Sequence, residues 1–158
     1  MSTVIRPARK EDAPVIFELL KASAIEQGNL HELCVDEQAV RDDGFGPTPR
    51  FQAILAERDG QVAGLALYYF NYSTWVSRNG LYLEDLYVGP EFRRRGVARS
   101  LMEKLAAIAI DRGCGRLQWV VKRENERAKS FYRSLGAVEL TQWPLMWLTG
   151  GTLTKLAR

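Results

Sequence analysis

The chain has 158 residues, of which 46% are hydrophobic and 26% are charged. This balance excludes an intrinsically disordered chain, and no apolar run approaches the ~18 residues that a membrane-spanning helix needs. The formal net charge of +3 is too mild to indicate a nucleic-acid partner by itself. A chain of this length fits one domain, so we expect a single domain over residues 1–158. Because the first residues carry no signal-peptide pattern, we expect the protein to be located in the cytoplasm and not bound to a membrane.

Cysteine and histidine, the usual ligands of zinc, are scarce. The chain contains two cysteines, Cys34 and Cys114, and one histidine, His31. They do not have the spacing of a zinc site, so we predict no metal centre. Two distant cysteines in a reducing compartment are predicted to be free thiols.

The first third of the chain is predicted to form one strand and two helices. Thr3–Arg6 is a short strand that ends at Pro7. Glu11–Gln27 has the apolar spacing of a helix with one buried face. A shorter helix is predicted at Asp36–Arg41, before Gly44–Pro47 breaks it.

The spacing of apolar residues then becomes typical of strands. Phe51–Glu57 and Gln61–Tyr69 are apolar runs joined by Asp59-Gly60, which is a strong hairpin signal. A third strand is predicted at Leu81–Val88.

The remaining elements are predicted to alternate. They are a helix at Val97–Asp111, a strand at Leu117–Val121, a helix at Asn125–Leu135 and a last strand at Val138–Leu148. The predicted order is therefore β-α-α-β-β-β-α-β-α-β. An antiparallel meander that leads into a β-α-β crossover predicts an α/β (α+β) fold, in which helices flank a mixed, mostly antiparallel sheet.

The most informative segment joins the third strand to the long helix that follows it. Arg93-x-x-Gly96-x-Ala98 stands at the start of this helix, where the first N–H groups have no partner within the helix and point toward an incoming anion. Gly96 and Ala98 leave the backbone accessible, and nearby arginines can donate to phosphate oxygens. Such a short match is common by chance, and no Walker-type Gly-Lys-Ser/Thr follows. Its position between a strand and a helix nevertheless predicts a pyrophosphate site.

This arrangement resembles the GNAT superfamily of N-acetyltransferases, whose acetyl-CoA pyrophosphate loop has the pattern Gln/Arg-x-x-Gly-x-Gly/Ala. Further segments resemble the branch that contains the spermidine/spermine (diamine) and thialysine acetyltransferases. These segments are Val4–Ala8, Asp43–Gly46, Tyr68–Phe70, Leu81–Asp85, and Asn125-Glu126 followed by Phe131-Tyr132. The resemblance covers nearly the whole chain. It implies a GNAT-like fold and an enzyme that moves the acetyl group of acetyl-CoA to a primary amine of a small molecule.

The resemblance also implies which residues bind acetyl-CoA. The third strand is expected to bind the acetyl carbonyl and the pantetheine arm. The loop after it and the start of the next helix are expected to bind the pyrophosphate, and the helix at Asn125–Leu135 is expected to contact the far side of the arm. The residues concerned are Leu86, Tyr87, Val88, Arg93, Arg94, Arg95, Gly96, Val97, Ala98, Arg99, Asn125, Arg127 and Ala128. Asn125 is also expected to cap its helix, and Arg127 is alternatively only a solvated side chain.

Acetyl transfer to an amine needs a group that accepts a proton and one that donates a proton. An alkylamine has a pKa near ~10.4, so it is almost wholly charged at neutral pH. Strand alternation places Glu84 and Asp85 on opposite faces. The resemblance favours Glu84 as the base, with Asp85 closer to the substrate or structural. It assigns the role of proton donor to Tyr132. The alternative interpretation of Tyr132 is a half-buried aromatic residue that packs beside Phe131.

The acceptor amine is predicted only by class. Cationic amines are bound by carboxylates and aromatic faces, and the candidates are Glu26, Gln27, Trp75, Glu84 and Asp85. Trp75 is alternatively an exposed aromatic at a strand end. Spermine-acetylating members carry a tyrosine and a glutamate where this chain has Glu26-Gln27, and the acidic loop before the last strand is shortened here. The sequence leaves three classes of acceptor open: a diamine or polyamine, a lysine analogue such as thialysine, and another small primary amine.

Two other functions are compatible with the same residues. One is a module that binds acyl-CoA without turnover, and the other is an acetyltransferase for a protein or peptide amine. No nucleic-acid partner is predicted, although Arg93–Arg95 could contact phosphates. The branch implies a homodimer, for which the aromatic-rich Trp143–Trp147 segment is either an interface or core.

Overall fold

The computed structural model describes residues 2–158. Within residues 2–120, five strands form one sheet and three α-helices pack around it. Residues from Val121 to Arg158 form a second compact unit. The part up to Val120 is called the first unit and the rest the second unit.

The sheet of the first unit has the strand order β1-β2-β3-β4-β5. Neighbouring strands are antiparallel except for β4 and β5, which are parallel. The strands are β1 (Val4–Pro7), β2 (Gln52–Arg58), β3 (Gln61–Ser73), β4 (Arg78–Val88) and β5 (Arg116–Gln118). The predicted fold class, a mixed and mostly antiparallel sheet with flanking helices, is confirmed.

The helices of the first unit lie on both faces of this sheet. They are α1 (Ala13–Glu26), α2 (Glu37–Phe45) and α3 (Val97–Asp111). Short 3₁₀ turns occur at Lys10–Asp12, Leu30–Glu32 and Pro90–Phe92. The second helix runs through Gly44, at which a break was predicted, and closes with a bond from the Gly46 N–H to the Asp42 carbonyl.

One face of the sheet is covered by α1 and α2. Leu55, Leu65 and Leu67 are buried there in one cluster with Ile16 of α1 and Val40 of α2. A buried leucine or isoleucine contributes roughly 1.5–3 kcal/mol, so this cluster anchors both helices. Because residues alternate along a strand, the even-numbered residues of β3 face the other way.

That opposite face is covered by α3. Val97, Leu101, Leu105 and Ala109 are buried at the four-residue spacing of a helix face. A side chain at Gly64 of β3 would lie 3.4 Å from Leu101 and 2.7 Å from the Tyr87 carbonyl oxygen. The helix and β3 approach closely there, which holds the start of α3 against the end of β4.

The second unit contains two helices, α4 (Glu126–Ser134) and α5 (Gly150–Leu156). The predicted last strand at Val138–Leu148 is wrong, since no strand forms there in the described chain. Pro144 has no N–H to donate, and the Trp143 N–H is directed into a turn with the Leu140 carbonyl, 3.3 Å away. Apolar and aromatic residues favour a strand, but a strand also needs a backbone partner.

Candidate functional site

The loop before α3 has the backbone shape of an anion cradle. Arg94 and Gly96 both have positive φ angles, +59° and +80°, and Gly96 is the N-cap of α3. The Ser100 N–H bonds to the Gly96 carbonyl at 3.0 Å, so the three preceding amides of α3 have no partner within the helix. A side chain at Gly96 would meet no heavy atom within 4 Å. The cradle therefore has free donors and room for a ligand.

The arginines around the cradle are placed in two different ways. Arg94, Arg95 and Arg99 are exposed. Arg93 instead turns into the first unit, where its Nε donates to the Val88 carbonyl at 2.9 Å and its Nη2 pairs with Glu26 Oε1 at 2.5 Å. Its guanidinium also lies 5.6 Å from the centre of the Tyr87 ring.

These contacts assign Arg93 a structural task. Arg93→Ala should lower the free energy of unfolding by about 1–2 kcal/mol, because it removes a charge-assisted bond, a cation–π contact and a partly exposed ion pair. The matched control is Arg94→Ala, which should change stability by less than about 0.5 kcal/mol. Urea unfolding of both variants measures the difference. Equal stability would show that the contacts of Arg93 add nothing to the fold.

The outer edge of β4 is only partly paired. β5 pairs with Gly80–Tyr82 and then ends, whereas β4 continues to Val88. Beyond Tyr82, no other strand of the first unit pairs with that edge. The side chains of Tyr87 and Val88 are buried and that of Leu86 is partly exposed. The backbone groups that β5 leaves unpaired suit an extended, amide-containing chain, except the Val88 carbonyl, which accepts from Arg93.

The two adjacent carboxylates of β4 lie at a β-bulge. Leu83 pairs with Tyr68 and Asp85 with Leu67, so Glu84 is an extra residue without a partner on β3. The alternation that separated Glu84 from Asp85 does not hold through a bulge, and this step of the prediction is corrected. Glu84 is exposed, whereas Asp85 is partly buried opposite a core leucine. Burial, and then the charge of Glu84, raise the pKa of Asp85 to about 6.

The other residues predicted to bind the amine are dispersed. Glu26 ends α1 and is held near the end of β4 by Arg93. Gln27 follows it as the C-cap, and its side chain donates to Ser23 Oγ at 3.1 Å. Trp75 is 90% exposed in the turn between β3 and β4. This turn is roughly 20 Å of strand away from Glu84, so the chain itself does not bring Trp75 to the carboxylates.

The remaining predicted residues lie on α4 in the second unit. Asn125 accepts a bond from the Ala128 N–H at 3.1 Å, which confirms the predicted helix cap. Arg127 is exposed and Ala128 is partly exposed. Tyr132 is partly buried, and burial raises the pKa of its phenol. The hydroxyl is therefore protonated at neutral pH and can donate.

Two groups of side chains were not among the predicted site residues. Lys129 is 7% exposed, and its Nζ lies 2.9 Å from Glu139 and 3.7 Å from Glu126. Its position on the buried side of α4 could have been found from helical spacing. Tyr69 and Tyr82 stack across β3 and β4 with ring centres 5.1 Å apart. Only the strand register shows that they meet.

The sequence matches the Acetyltransferase (GNAT) family over residues 15–137. The chain belongs to this family. As a GNAT enzyme, it is an acetyl-CoA-dependent N-acetyltransferase, which confirms the resemblance seen in its motifs.

Relatives and solved structures agree with the GNAT assignment. The thialysine N-epsilon-acetyltransferase of Bos taurus is 38% identical, over 98% of this chain and 96% of its own length. The spermidine/spermine N(1)-acetyltransferase-like protein 1 of Homo sapiens is 32% identical, over 87% of this chain and 21% of its own length. An integron cassette protein from the mobile metagenome of V. cholerae has a TM-score of 0.80 and 26% identity, covering 100% of this chain and 99% of its own.

Residues 2–158 of this GNAT enzyme lack two kinds of structural feature. No group of three or more His, Cys, Asp or Glu in this range could hold a metal ion. No helix in the same range is both long enough and apolar enough to cross a membrane. Both described cysteines are free, with Cys34 exposed and Cys114 buried.

Proposed function

We propose that the enzyme acetylates a primary amine of a small molecule, either a diamine or polyamine or a lysine analogue such as thialysine. The observation that carries this proposal is the match to a thialysine acetyltransferase over almost the full length of both chains. The paired carboxylates of β4 support it, because a cationic acceptor needs negative charge beside the site of its deprotonation.

The cradle and the strand edge fit the chemistry of acetyl-CoA. The amides of Val97, Ala98 and Arg99 and the exposed arginines would bind the pyrophosphate, and the room at Gly96 supports this assignment. The β4 edge at Leu86–Val88 would bind the pantetheine amides through its unpaired backbone groups, which do not include the Val88 carbonyl because it accepts from Arg93. On α4, Asn125, Arg127 and Ala128 would line the far side of the arm. Acetyl-CoA supplies an acetyl thioester, whose carbon–sulfur bond is exchanged for the carbon–nitrogen bond of the product.

The protein's own part in the reaction is to move two protons. Glu84 accepts the proton that the ammonium loses, directly or through water, which frees the nitrogen lone pair for direct attack. Asp85 beside it holds the cation before deprotonation. Tyr132 donates a proton to the leaving sulfur. A phenol of pKa ~10 is already a weaker acid than a thiol of pKa ~8.5, and burial makes the transfer more uphill. Solvent then restores the phenol.

The ion pair between Glu26 and Arg93 bears on the length of the acceptor. Glu26 is the carboxylate at the end of α1, and Arg93 already neutralises it. Of the carboxylates predicted to bind the acceptor, Glu84 and Asp85 are then left for the cation, and they lie next to each other in the sequence. This favours a short diamine or an amino acid with a terminal amine over a long polycation such as spermine.

An acetylation assay over an amine panel tests the function. Acetyl-CoA consumption is followed with putrescine, spermidine, spermine, lysine, thialysine and a lysine-containing peptide. We expect turnover with the short acceptors and less with spermine. Calorimetric binding of CoA without turnover of any amine would contradict the proposal and indicate a non-catalytic module. Turnover of the peptide alone would indicate a protein acceptor.

We also propose that the enzyme is a single domain and forms a homodimer. The family match runs across both units, which supports one domain. In the second unit, Trp143, Met146 and Trp147 are 70%, 84% and 78% exposed, and such apolar surface is typical of an interface. Light scattering should give twice the monomer mass of 17.9 kDa, and a mass of one chain would contradict the dimer. The cytoplasmic location and the absence of nucleic-acid and membrane partners stay predictions.

A further inference from the structure

A pair of stacked tyrosines lies on the face of the sheet that carries Asp85. Tyr69 of β3 and Tyr82 of β4 are direct cross-strand partners. Their ring centres are 5.1 Å apart with an interplanar angle of 27°. Both side chains are partly exposed, although they lie on the same face of the sheet as the buried Leu65 and Leu67. The pair is therefore an accessible aromatic surface.

Two buried oxygen atoms near this pair lack hydrogen-bond donors. Gln118 of β5 pairs with Tyr82 in the parallel ladder, so both side chains project from the same face. Gln118 Oε1 is buried and has no hydrogen-bond partner among the described residues. Asn71, two residues after Tyr69 on β3, also has a buried and unpartnered oxygen, Oδ1. Such atoms are costly to bury, so a hydrogen-bond donor that reached them would stabilise this face.

A negative charge lies close to the same surface. Burial raises the pKa of Tyr69 and Tyr82, and the charge of Glu84 raises both further. A ligand that suits this surface brings donors, positive charge and an apolar stem. An alkylammonium group has three donors and no acceptor, and its charge is attracted to aromatic faces.

We propose that Tyr69, Tyr82 and Gln118 form a subsite for a second, non-reacting ammonium group of the acceptor. This inference rests on the proposed function, in which Glu84 deprotonates the reacting amine. Tyr82 lies two residues before Glu84 on β4, a separation of about 7 Å along a strand, which a short diamine can span. The enzyme then prefers acceptors with two amino groups to monoamines of the same carbon length.

Matched acceptors test the subsite. Wild-type enzyme should show at least about tenfold higher kcat/KM with 1,4-diaminobutane than with butylamine. Tyr82→Leu should lower the value for the diamine about tenfold, mainly through KM, and that for butylamine less than about threefold. Tyr82→Phe should recover most of the loss because the aromatic face remains. Gln118→Glu should increase the preference for the diamine, because it places a carboxylate beside the cation.

Tyr72→Leu is the matched control, since Tyr72 is a 62% exposed tyrosine of the same strand as Tyr69. It should leave both kcat/KM values unchanged. An equal loss for both amines in Tyr82→Leu would overturn the proposal, as would an unchanged preference in Gln118→Glu. If thermal unfolding shows that Tyr82→Leu does not fold, the change in diamine preference of Gln118→Glu tests the proposal instead.

Direct binding separates this inference from the proposed function. Calorimetry with 1,4-diaminobutane and the full chain reports the subsite without turnover. If no amine is acetylated but the diamine binds more tightly than butylamine, and Tyr82→Leu abolishes the difference, the subsite stands and the proposed function fails. If amines are acetylated but the wild-type enzyme does not distinguish 1,4-diaminobutane from butylamine, the proposed function stands and the subsite is overturned.

Discussion

Tyr132→Phe should lower kcat by about 10²-fold or more, while KM for the amine changes by less than about threefold. Phenylalanine keeps the ring and its packing on α4 but removes the hydroxyl that donates to the leaving sulfur. Because burial raises the pKa of this phenol above its usual 10, the hydroxyl stays protonated across the neutral range. Activity that depends on Tyr132 is lost as the pH rises through that raised pKa, so no alkaline decline from this group is expected below pH 10.

Steady-state kinetics with the best acceptor of the panel measure this effect. Tyr72→Phe is a control for loss of a tyrosine hydroxyl, because Tyr72 is exposed on β3 and stands outside the site. It should retain wild-type kcat. A kcat for Tyr132→Phe within about threefold of wild type would reduce Tyr132 to a packing aromatic beside Phe131, whose ring centre lies 5.3 Å from that of Tyr132.

Asp85→Asn should make the protein more stable at neutral pH and less active. The folded protein raises the pKa of Asp85 from 3.8 to about 6, so the native state binds this proton more tightly than the unfolded chain does. By linkage, the contribution of Asp85 to stability is lost as the pH rises from about 4 to about 6. The neutral amide avoids that loss, so at pH 7 the variant should gain on the order of 3 kcal/mol in free energy of unfolding.

The activity of the same variant should change in the opposite direction. If Asp85 binds the cationic acceptor as a carboxylate, wild-type kcat/KM rises with pH through about 6. Asp85→Asn should lower kcat/KM at pH 7 by about tenfold or more and abolish that acidic limb. Glu84→Gln removes a charge that raises the pKa of Asp85, so the stability loss should move to lower pH in that variant.

Urea unfolding at pH 4 and pH 7 measures the stability effect. Asp111→Asn is the matched control, because Asp111 is exposed at the end of α3. In this control, the difference in free energy of unfolding between pH 4 and pH 7 should equal that of the wild type. An Asp85→Asn variant that is no more stable than wild type at pH 7 would show that Asp85 ionises in the folded protein as it does in the unfolded chain.

The sequence by itself was sufficient for features that depend on neighbours along the chain. The cradle at Gly96 was predicted because a helix start has free N–H groups whatever surrounds it. The hairpin at Asp59-Gly60, the cap at Asn125 and the long helix α3 are local in the same sense, and the structure confirms them. The GNAT resemblance rested on the Arg93-x-x-Gly96-x-Ala98 motif and on other short segments of the chain, and the family match confirms it.

The tertiary structure alone decided what depends on partners distant in sequence. Arg93 was predicted as a phosphate ligand from its motif, but its ion-pair partner is 67 residues away on α1. The bulge at Glu84 depends on the register with β3, which periodicity along β4 does not contain. The stacking of Tyr69 with Tyr82 depends on the same register. The segment at Val138–Leu148 has the composition of a strand but no ladder. Periodicity shows which side chains favour burial, whereas pairing depends on which backbone lies alongside, and only the folded chain determines that.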